Sequence, residues 1–163
     1  MTARPPPAAV RTCQGVAGTR ALAGVVASGL RAGDVVGLTG PLGAGKTTFV
    51  RALVGALGGD PADVVSPTFV LVQHYRGRLA VAHVDAYRLA DAAALRALGH
   101  EEIYPDGSVS VIEWADRVRA ALPPGAVWID LRPLPGDVRE VLAGGPAATL
   151  SRLGLGDATA PPP

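Results

Sequence analysis

The sequence predicts an α/β fold whose sheet is parallel at its centre, with antiparallel strands added to it. Residues 34–39 form an apolar run that is followed by a glycine-rich turn and then by a helical pattern, as in a strand–loop–helix unit. Two later apolar runs, 79–85 and 109–113, each end in a carboxylate, as strands of such a sheet do at a ligand site. Residues 69–84 read as a hairpin, which supplies antiparallel strands.

The glycine-rich turn matches a phosphate-binding loop. Residues 39–48 read TGPLGAGKTT and fit G-x-x-x-x-G-K-[ST] through Gly40, Gly45, Lys46 and Thr47. An ordinary turn in a chain with 21 glycines is the alternative, and the flanking strand and helix argue against it. The motif predicts a three-layer P-loop NTPase sandwich. Its nucleotide-binding groups would be Gly43, Ala44, Gly45, Lys46, Thr47 and Thr48.

The elements before the loop are few. Residues 1–9 are predicted to be a disordered leader because they contain three consecutive prolines. A short strand is expected over 10–13, and Thr19 is expected to cap a helix that carries Leu22, Val25 and Val26 on one face. The folded P-loop ATPase domain is predicted to span 10–143.

After the loop, the pattern predicts a helix with Val50, Leu53, Val54 and Leu57 on one face. The predicted strands then cover 69–75, 79–84, 109–114, 126–131 and 138–142, with one short helix capped by Asp91 and another ending near Ala121. Residues 144–163 are rich in Gly, Ala and Pro. They are predicted to form a mostly disordered tail with one helical turn near Leu150.

Two carboxylates complete the predicted site. Asp85 and Glu113 end neighbouring runs, and a nucleotide triphosphatase needs carboxylates to hold Mg²⁺ and to orient a water. The alternative is that each caps the next turn or pairs with Arg88 or Arg117. Thr68, which follows the loop helix, would contact Mg²⁺ or the γ-phosphate, or else lies in an ordinary turn.

Composition excludes several classes. The chain has 15 basic and 14 acidic residues, so no broad nucleic-acid surface is indicated. The single cysteine, Cys13, permits no internal disulfide and suits a reducing cytoplasm. No apolar run approaches the ~18 residues of a membrane span, and prolines occupy the place of a signal-peptide core.

Four segments carry a family resemblance. GPLGAGKTTF (40–49), SPTF (66–69), HVDAYRL (83–89) and IEWADR (112–117) occur in this order. Together they resemble the TsaE (YjeE) family, the ATPase component of bacterial tRNA threonylcarbamoyladenosine synthesis. The resemblance implies slow hydrolysis of ATP with Mg²⁺ and docking on TsaB and TsaD, which modify adenosine 37 of tRNA and hold the tRNA themselves.

The resemblance also implies roles for single residues. Lys46 would bind phosphate, Thr47 and Glu113 would hold Mg²⁺, and Asp85 would orient water or stand near the metal. The base would lie near Val16 and Arg139. Trp114, Tyr87 and Arg88 would lie beside the nucleotide or a partner, although Trp114 also suits an ordinary core position.

Residue counts favour ATP over GTP. The guanine-reading motif of GTPases needs Asn or Thr followed by Lys, and this chain has no asparagine and no lysine besides Lys46. A small-molecule kinase and a non-catalytic, nucleotide-gated adaptor share the loop and remain alternatives at this point.

Overall fold

A computed structural model describes residues 5–66 and 71–156. Its strands are β1 (Ala9–Gln14), β2 (Val35–Thr39), β3 (Val72–Tyr75), β4 (Ala80–Asp85), β5 (Ser108–Glu113), β6 (Val127–Leu134) and β7 (Val138–Gly144). Its α-helices are α1 (Gly15–Gly29), α2 (Lys46–Ala56), α3 (Ala92–Arg96), α4 (His100–Ile103) and α5 (Ala147–Arg152). Two 3-10 helices cover Pro61–Asp63 and Ala115–Ala121.

The strands form one sheet in the order β1-β7-β6-β2-β5-β4-β3. The four central strands, β6, β2, β5 and β4, are parallel to their neighbours within this group. The strands β7, β1 and β3 join the sheet by antiparallel pairing. The predicted α/β fold, parallel at its centre with antiparallel additions, is therefore confirmed.

Helices cover both faces of the sheet, which gives three layers. On one face, Val26 of α1, Phe49 of α2 and Leu150 of α5 belong to one continuous core. On the other face, Leu95 of α3 and Val118 of the second 3-10 helix belong to a separate core. The glycine-containing strand β2 lies at the centre, where Val36 and Leu38 are fully buried.

The start of α1 differs from the prediction. The helix begins at Gly15 after Gln14, and Thr19 lies inside it, where its hydroxyl donates to the Gly15 carbonyl at 3.4 Å. The Gly15 amide donates to the Asp137 carbonyl at 2.7 Å, so a contact distant in sequence fixes where the helix starts. The predicted cap at Thr19 was wrong for this reason.

The hairpin and the following cap agree with the sequence pattern. The strands β3 and β4 pair antiparallel, with Gln73 opposite His83. The Asp91 side chain accepts a hydrogen bond from the Ala94 amide at 2.9 Å and caps α3. Thr68 and residues 69–70 of the predicted strand 69–75 lie outside the described residues. In the described part, the strand β3 begins at Val72.

Both predicted chain ends need correction. At the leader, Ala9 already belongs to β1, and the Ala8 amide donates to the Ala143 carbonyl at 2.7 Å. At the tail, β7 extends to Gly144 and α5 follows, which confirms the helical turn near Leu150. The part of the tail up to residue 156 is folded rather than disordered, because Leu150, Leu153 and Leu155 are buried in the core.

The register brings the ends of the parallel strands together. Asp85 pairs with Glu113, and Leu38 of β2 pairs with Glu113 from the other side. The next strand places Asp130 opposite Thr39. This edge of the sheet carries the candidate site. Within residues 5–66 and 71–156, no helix has the length and apolar character to cross a membrane.

Candidate nucleotide site

The loop between β2 and α2 has a backbone that glycines make possible. Gly40, Gly43 and Gly45 have φ values of 138°, 79° and 103°, which side chains disfavour. A Cβ atom on Gly40 would lie 2.3 Å from the Leu131 carbonyl oxygen, so only glycine fits beside β6. The loop therefore wraps closely around the end of the sheet.

The loop leads directly into the N-terminus of α2. Gly45 is the residue before the helix, and Lys46 is its first residue. The first amides of a helix have no partner within it and carry partial positive charge, which favours anions. The Ala44 amide donates to the Pro41 carbonyl at 3.0 Å, so it closes the loop in this structure. Thr48 lies in the first turn of α2, one residue after the motif ends.

Lys46 is buried, with 5% of its surface exposed. Its Nζ atom donates to the carbonyl oxygens of Gly40 at 2.7 Å and Pro41 at 3.0 Å. Burial lowers the pKa of Lys46, and the nearby negative charges of Glu113, Asp116, Asp85 and Asp130 act in the opposite direction. The ammonium group thus lies among acidic groups at the end of the sheet.

Thr47 and Glu113 meet across the loop. The Thr47 hydroxyl lies 3.0 Å from Oε1 and 3.1 Å from Oε2 of Glu113, and donates toward this carboxylate. Glu113 is 2% exposed, at the end of β5. The structure therefore brings together the two side chains that the sequence assigned to a metal ion.

Asp85 lies beside this pair, at the end of β4, and is 8% exposed. Its carboxylate accepts hydrogen bonds from the Tyr87 amide at 2.9 Å and the Ser66 hydroxyl at 3.4 Å. Burial is the main cause that raises the pKa of Asp85, and the charge of Glu113 adds to it. The contact with the Tyr87 amide also caps the turn after β4, so the alternative in which Asp85 caps the next turn describes part of its role.

His83 and Tyr75 form a layer behind Glu113 that the sequence patterns did not assign. The His83 Nε2 atom lies 2.8 Å from Glu113 Oε1, and its Nδ1 atom lies 3.2 Å from the Tyr75 hydroxyl. Burial, together with the charge of Glu113, raises the pKa of Tyr75 to about 12. The available signal was the H-x-D spacing, because residues i and i+2 of a strand share a face.

Trp114 follows Glu113 and faces the loop. Its backbone has a φ of 57°, which is uncommon for a residue other than glycine. Its ring centroid lies 3.7 Å from Lys46 Nζ and 4.9 Å from the ring centroid of Tyr87. The structure thus brings Tyr87 and Trp114 together, whereas Arg88 lies exposed in the turn after β4.

Arg139 packs against the other side of the loop. Its Nε atom donates to the Ala44 carbonyl at 3.3 Å, and its Nη1 atom donates to Asp137 Oδ1 at 2.8 Å. Val16, in the first turn of α1, is 42% exposed and follows Gly15, whose amide contacts Asp137. The two residues expected near the base therefore belong to neighbouring segments, and the base contact itself stays a prediction.

Asp130 is an acidic residue of this edge that the sequence patterns did not identify. Its Oδ1 atom accepts from the Thr39 hydroxyl at 3.0 Å, and its Oδ2 atom accepts from Arg132 Nε at 2.8 Å. Asp130 is the next-to-last residue of the predicted strand 126–131, so the same strand-end signal was available for it, although β6 continues to Leu134 in the structure.

The donor set suits magnesium bound together with phosphates. Among residues 5–66 and 71–156, no group of three or more His, Cys, Asp or Glu side chains is arranged to hold a metal alone. Mg²⁺ is usually held by one or two protein oxygens together with waters and phosphates. One hydroxyl and one carboxylate beside a phosphate loop fit that pattern.

Comparison with known proteins identifies the family of the chain. The family model for threonylcarbamoyl adenosine biosynthesis protein TsaE matches residues 13–141. Over 118 residues the chain is 45% identical to the tRNA threonylcarbamoyladenosine biosynthesis protein TsaE of Treponema pallidum (strain Nichols), covering 72% of this chain and 86% of the relative. The protein of the same name from Bacillus subtilis (strain 168) is 36% identical over 124 residues, covering 76% and 77%.

A solved structure agrees with the fold. The crystal structure of YdiB from Bacillus subtilis superposes with a TM-score of 0.72 at 28% identity, covering 89% of this chain and 93% of that one. The resemblance predicted from the four sequence segments is therefore confirmed. This chain belongs to the TsaE family, whose members take part in tRNA threonylcarbamoyladenosine biosynthesis.

Proposed function

We propose that the chain binds ATP with Mg²⁺ at residues 40–48 and hydrolyses it weakly. This hydrolysis would support formation of threonylcarbamoyladenosine at position 37 of tRNA. The observation that carries the proposal is the contact of the Thr47 hydroxyl with both carboxylate oxygens of Glu113, at 3.0 and 3.1 Å, beside the start of α2. A threonine and an acidic residue at these places are what a phosphate-loop triphosphatase uses for its metal.

Each group has a distinct part in this proposal. Lys46 would leave the Gly40 and Pro41 carbonyls and bind the β- and γ-phosphates, and the amides of residues 43–48 would surround the phosphate chain. Thr47 and Glu113 would hold Mg²⁺, which when bound neutralises charge on the phosphates. Asp85, whose raised pKa reflects its burial, would orient the attacking water.

The choice of ATP rests on what the chain lacks. The sequence contains no asparagine, and its one lysine is in the phosphate loop, so the guanine-reading motif of GTPases is absent. Arg139 contacts the loop at the Ala44 carbonyl, and the exposed Val16 follows Gly15, whose amide donates to the Asp137 carbonyl; these two segments would contact the base.

The partners are proposed from the family and from charge. The family name refers to tRNA threonylcarbamoyladenosine biosynthesis, and a chain with net charge +1 has no strong basic surface of its own for RNA. We therefore infer docking on a TsaB/TsaD-type complex in the cytoplasm, with tRNA held mainly by those partners. Trp114 contacts Lys46 and packs on Tyr87, and the exposed Arg88 follows Tyr87 in the chain; a partner would sense the nucleotide at these residues.

The test is a reconstituted tRNA modification assay with TsaB- and TsaD-type proteins, tRNA and labelled ATP. Wild-type chain is expected to release free phosphate and to sustain repeated modification. Glu113→Ala is expected to lose both, whereas Glu101→Ala, an exposed glutamate of α4, is the matched control and should keep both.

Three results would contradict the proposal. Modification sustained by Glu113→Ala without hydrolysis would make the chain a nucleotide-gated adaptor. Transfer of label to an added metabolite would make it a kinase. Modification at the same rate without this chain would remove its proposed role in the pathway.

A further inference from the structure

A buried line of hydrogen-bonded side chains runs away from the candidate metal site behind Glu113. Its members are Glu113, His83, Tyr75 and Gln73, joined by contacts from Glu113 Oε1 to His83 Nε2 (2.8 Å) and from His83 Nδ1 to the Tyr75 hydroxyl (3.2 Å). The Tyr75 hydroxyl also contacts Gln73 Oε1. The His83 side chain is fully buried and the Glu113 side chain is 3% exposed. Glu113, His83 and Tyr75 are therefore largely shielded from water, and the half-buried Gln73 ends the line.

The line follows from the register of three strands. Gln73 lies opposite His83, and Asp85, two residues after His83, lies opposite Glu113. Because alternate residues of a strand share a face, these side chains all lie on the face of the sheet that α2 covers. Thr47 approaches from α2 on that same face.

The chemistry of the groups fixes the direction of one bond. A carboxylate accepts hydrogen bonds, so His83 must donate from Nε2 to Glu113. This donor restricts rotation of the carboxylate and leaves its two oxygens facing the Thr47 hydroxyl. Tyr75 contacts the other ring nitrogen, which fixes the plane of the imidazole.

We propose that His83 is a positioning residue for the magnesium site: it holds the Glu113 carboxylate toward Thr47, and Tyr75 holds His83. This inference rests on the proposed function, since it concerns how well the chain prepares the site for Mg²⁺. Groups that orient a metal ligand typically change metal affinity by about 10- to 100-fold when they are removed.

Two substitutions at position 83 distinguish loss of the hydrogen-bond donor to Glu113 from loss of side-chain volume. In His83→Gln, the side-chain amide nitrogen reaches as far as Nε2 and keeps a donor for Glu113. In His83→Asn, the amide lies at the level of Nδ1 and cannot reach the carboxylate. Val111→Ala is the control for lost packing, because Val111 is buried directly opposite His83 and makes no such hydrogen bond.

The measurement is the affinity for a non-hydrolysable ATP analogue, by calorimetry, in excess Mg²⁺ and again in EDTA. The ratio of the two affinities reports the contribution of the metal. His83→Asn is expected to lower this ratio about 10- to 100-fold while its affinity in EDTA stays unchanged. His83→Gln should keep the ratio within about threefold of wild type, and Val111→Ala should keep it while lowering the melting temperature.

The outcomes distinguish this inference from the proposed function. If wild-type chain does not bind the analogue, or binds it equally in Mg²⁺ and EDTA, the proposed function fails. If wild type shows the magnesium effect and His83→Asn shows it equally, the positioning role of His83 is overturned. If His83→Asn does not fold, Tyr75→Phe decides: a ratio lowered several-fold supports the inference, and an unchanged ratio overturns it.

Discussion

The ammonium nitrogen of Lys46 lies 3.7 Å from the ring centroid of Trp114. Such a contact between a cation and an aromatic face is worth about 0.5–2 kcal/mol. The same nitrogen donates to two loop carbonyls, and Tyr87 packs on Trp114 with a 4.9 Å centroid separation. The indole ring therefore lies next to the group that would bind phosphate, and it is a natural reporter of nucleotide binding.

The first prediction uses Trp114 as that reporter. The chain has two tryptophans, and the other, Trp128, is buried in β6. In Trp128→Phe, ATP with Mg²⁺ should change the fluorescence emission of Trp114, because Lys46 would exchange the ring for phosphate. In the reciprocal variant Trp114→Phe, the emission of Trp128 should stay constant. If the emission changed with nucleotide in Trp114→Phe but not in Trp128→Phe, the proposed place of Trp114 beside the phosphates would be contradicted.

The second prediction concerns the pH dependence of stability at Asp85. Burial and the charge of Glu113 raise the pKa of Asp85 in the folded chain above its unfolded value of ~3.9. The folded state then binds the proton more tightly than the unfolded state. The stability that this proton contributes is present below the unfolded pKa and is lost as the pH rises through the folded pKa. Asp85→Asn removes the charge and keeps an acceptor for the Tyr87 amide.

Urea denaturation of wild type and Asp85→Asn, without nucleotide or Mg²⁺, measures this effect. The free energy of unfolding of wild type should fall relative to that of the variant as the pH rises above the unfolded value of ~3.9 and through the raised pKa of the folded chain. A difference that stays constant with pH, or that changes in favour of wild type, would refute the assignment.

The third prediction concerns the folded segment after β7. The Arg152 guanidinium donates to both carboxylate oxygens of Asp34 at 2.8 and 2.9 Å and also contacts the Gly29 carbonyl. Burial acts to raise the pKa of Asp34, but the hydrogen bonds from Arg152 and the Arg31 amide outweigh it and leave the pKa lowered. Arg152→Ala should therefore cost about 1 kcal/mol at neutral pH.

The pH dependence of that loss has a defined sign. A lowered carboxyl pKa contributes stability above the unfolded value of ~3.9, and the contribution is lost as the pH falls through the folded pKa. Thermal unfolding of Arg152→Ala and wild type should thus converge in acid. Arg20→Ala, an exposed arginine on α1, is the control and should change stability by less than about 0.5 kcal/mol. Equal effects of the two substitutions would show that the Asp34 pair contributes nothing.

The local parts of the site were predictable from the sequence. The phosphate loop, its flanking strand and helix, and the carboxylates at the ends of β4 and β5 each have a pattern within a few residues. Because parallel strands end at one edge of a sheet, Asp85 and Glu113 were expected to meet there, and they pair in register.

The parts that depend on distant contacts were not predictable. The helix α1 starts at Gly15, whose amide donates a hydrogen bond to the Asp137 carbonyl. Local sequence does not show this contact, and for this reason the helix cap was wrongly predicted at Thr19. The composition of the tail predicted disorder, yet Leu150, Leu153 and Leu155 are buried in the core. Composition could not predict this, because burial depends on the residues that a segment packs against. The contact of His83 with Tyr75 depends on the register of β3 and β4, which the pattern of either strand alone does not set.

The central claim is that Lys46 and the surrounding loop bind ATP with Mg²⁺, and calorimetric titration of Lys46→Ala tests it most directly. Wild type should bind, and Lys46→Ala should bind weaker by about two orders of magnitude, because a buried charge-assisted contact to phosphate is lost. Arg119→Ala, which removes the same charge from an exposed position, should bind as wild type does. Equal ATP affinity of Lys46→Ala and wild type would contradict the account.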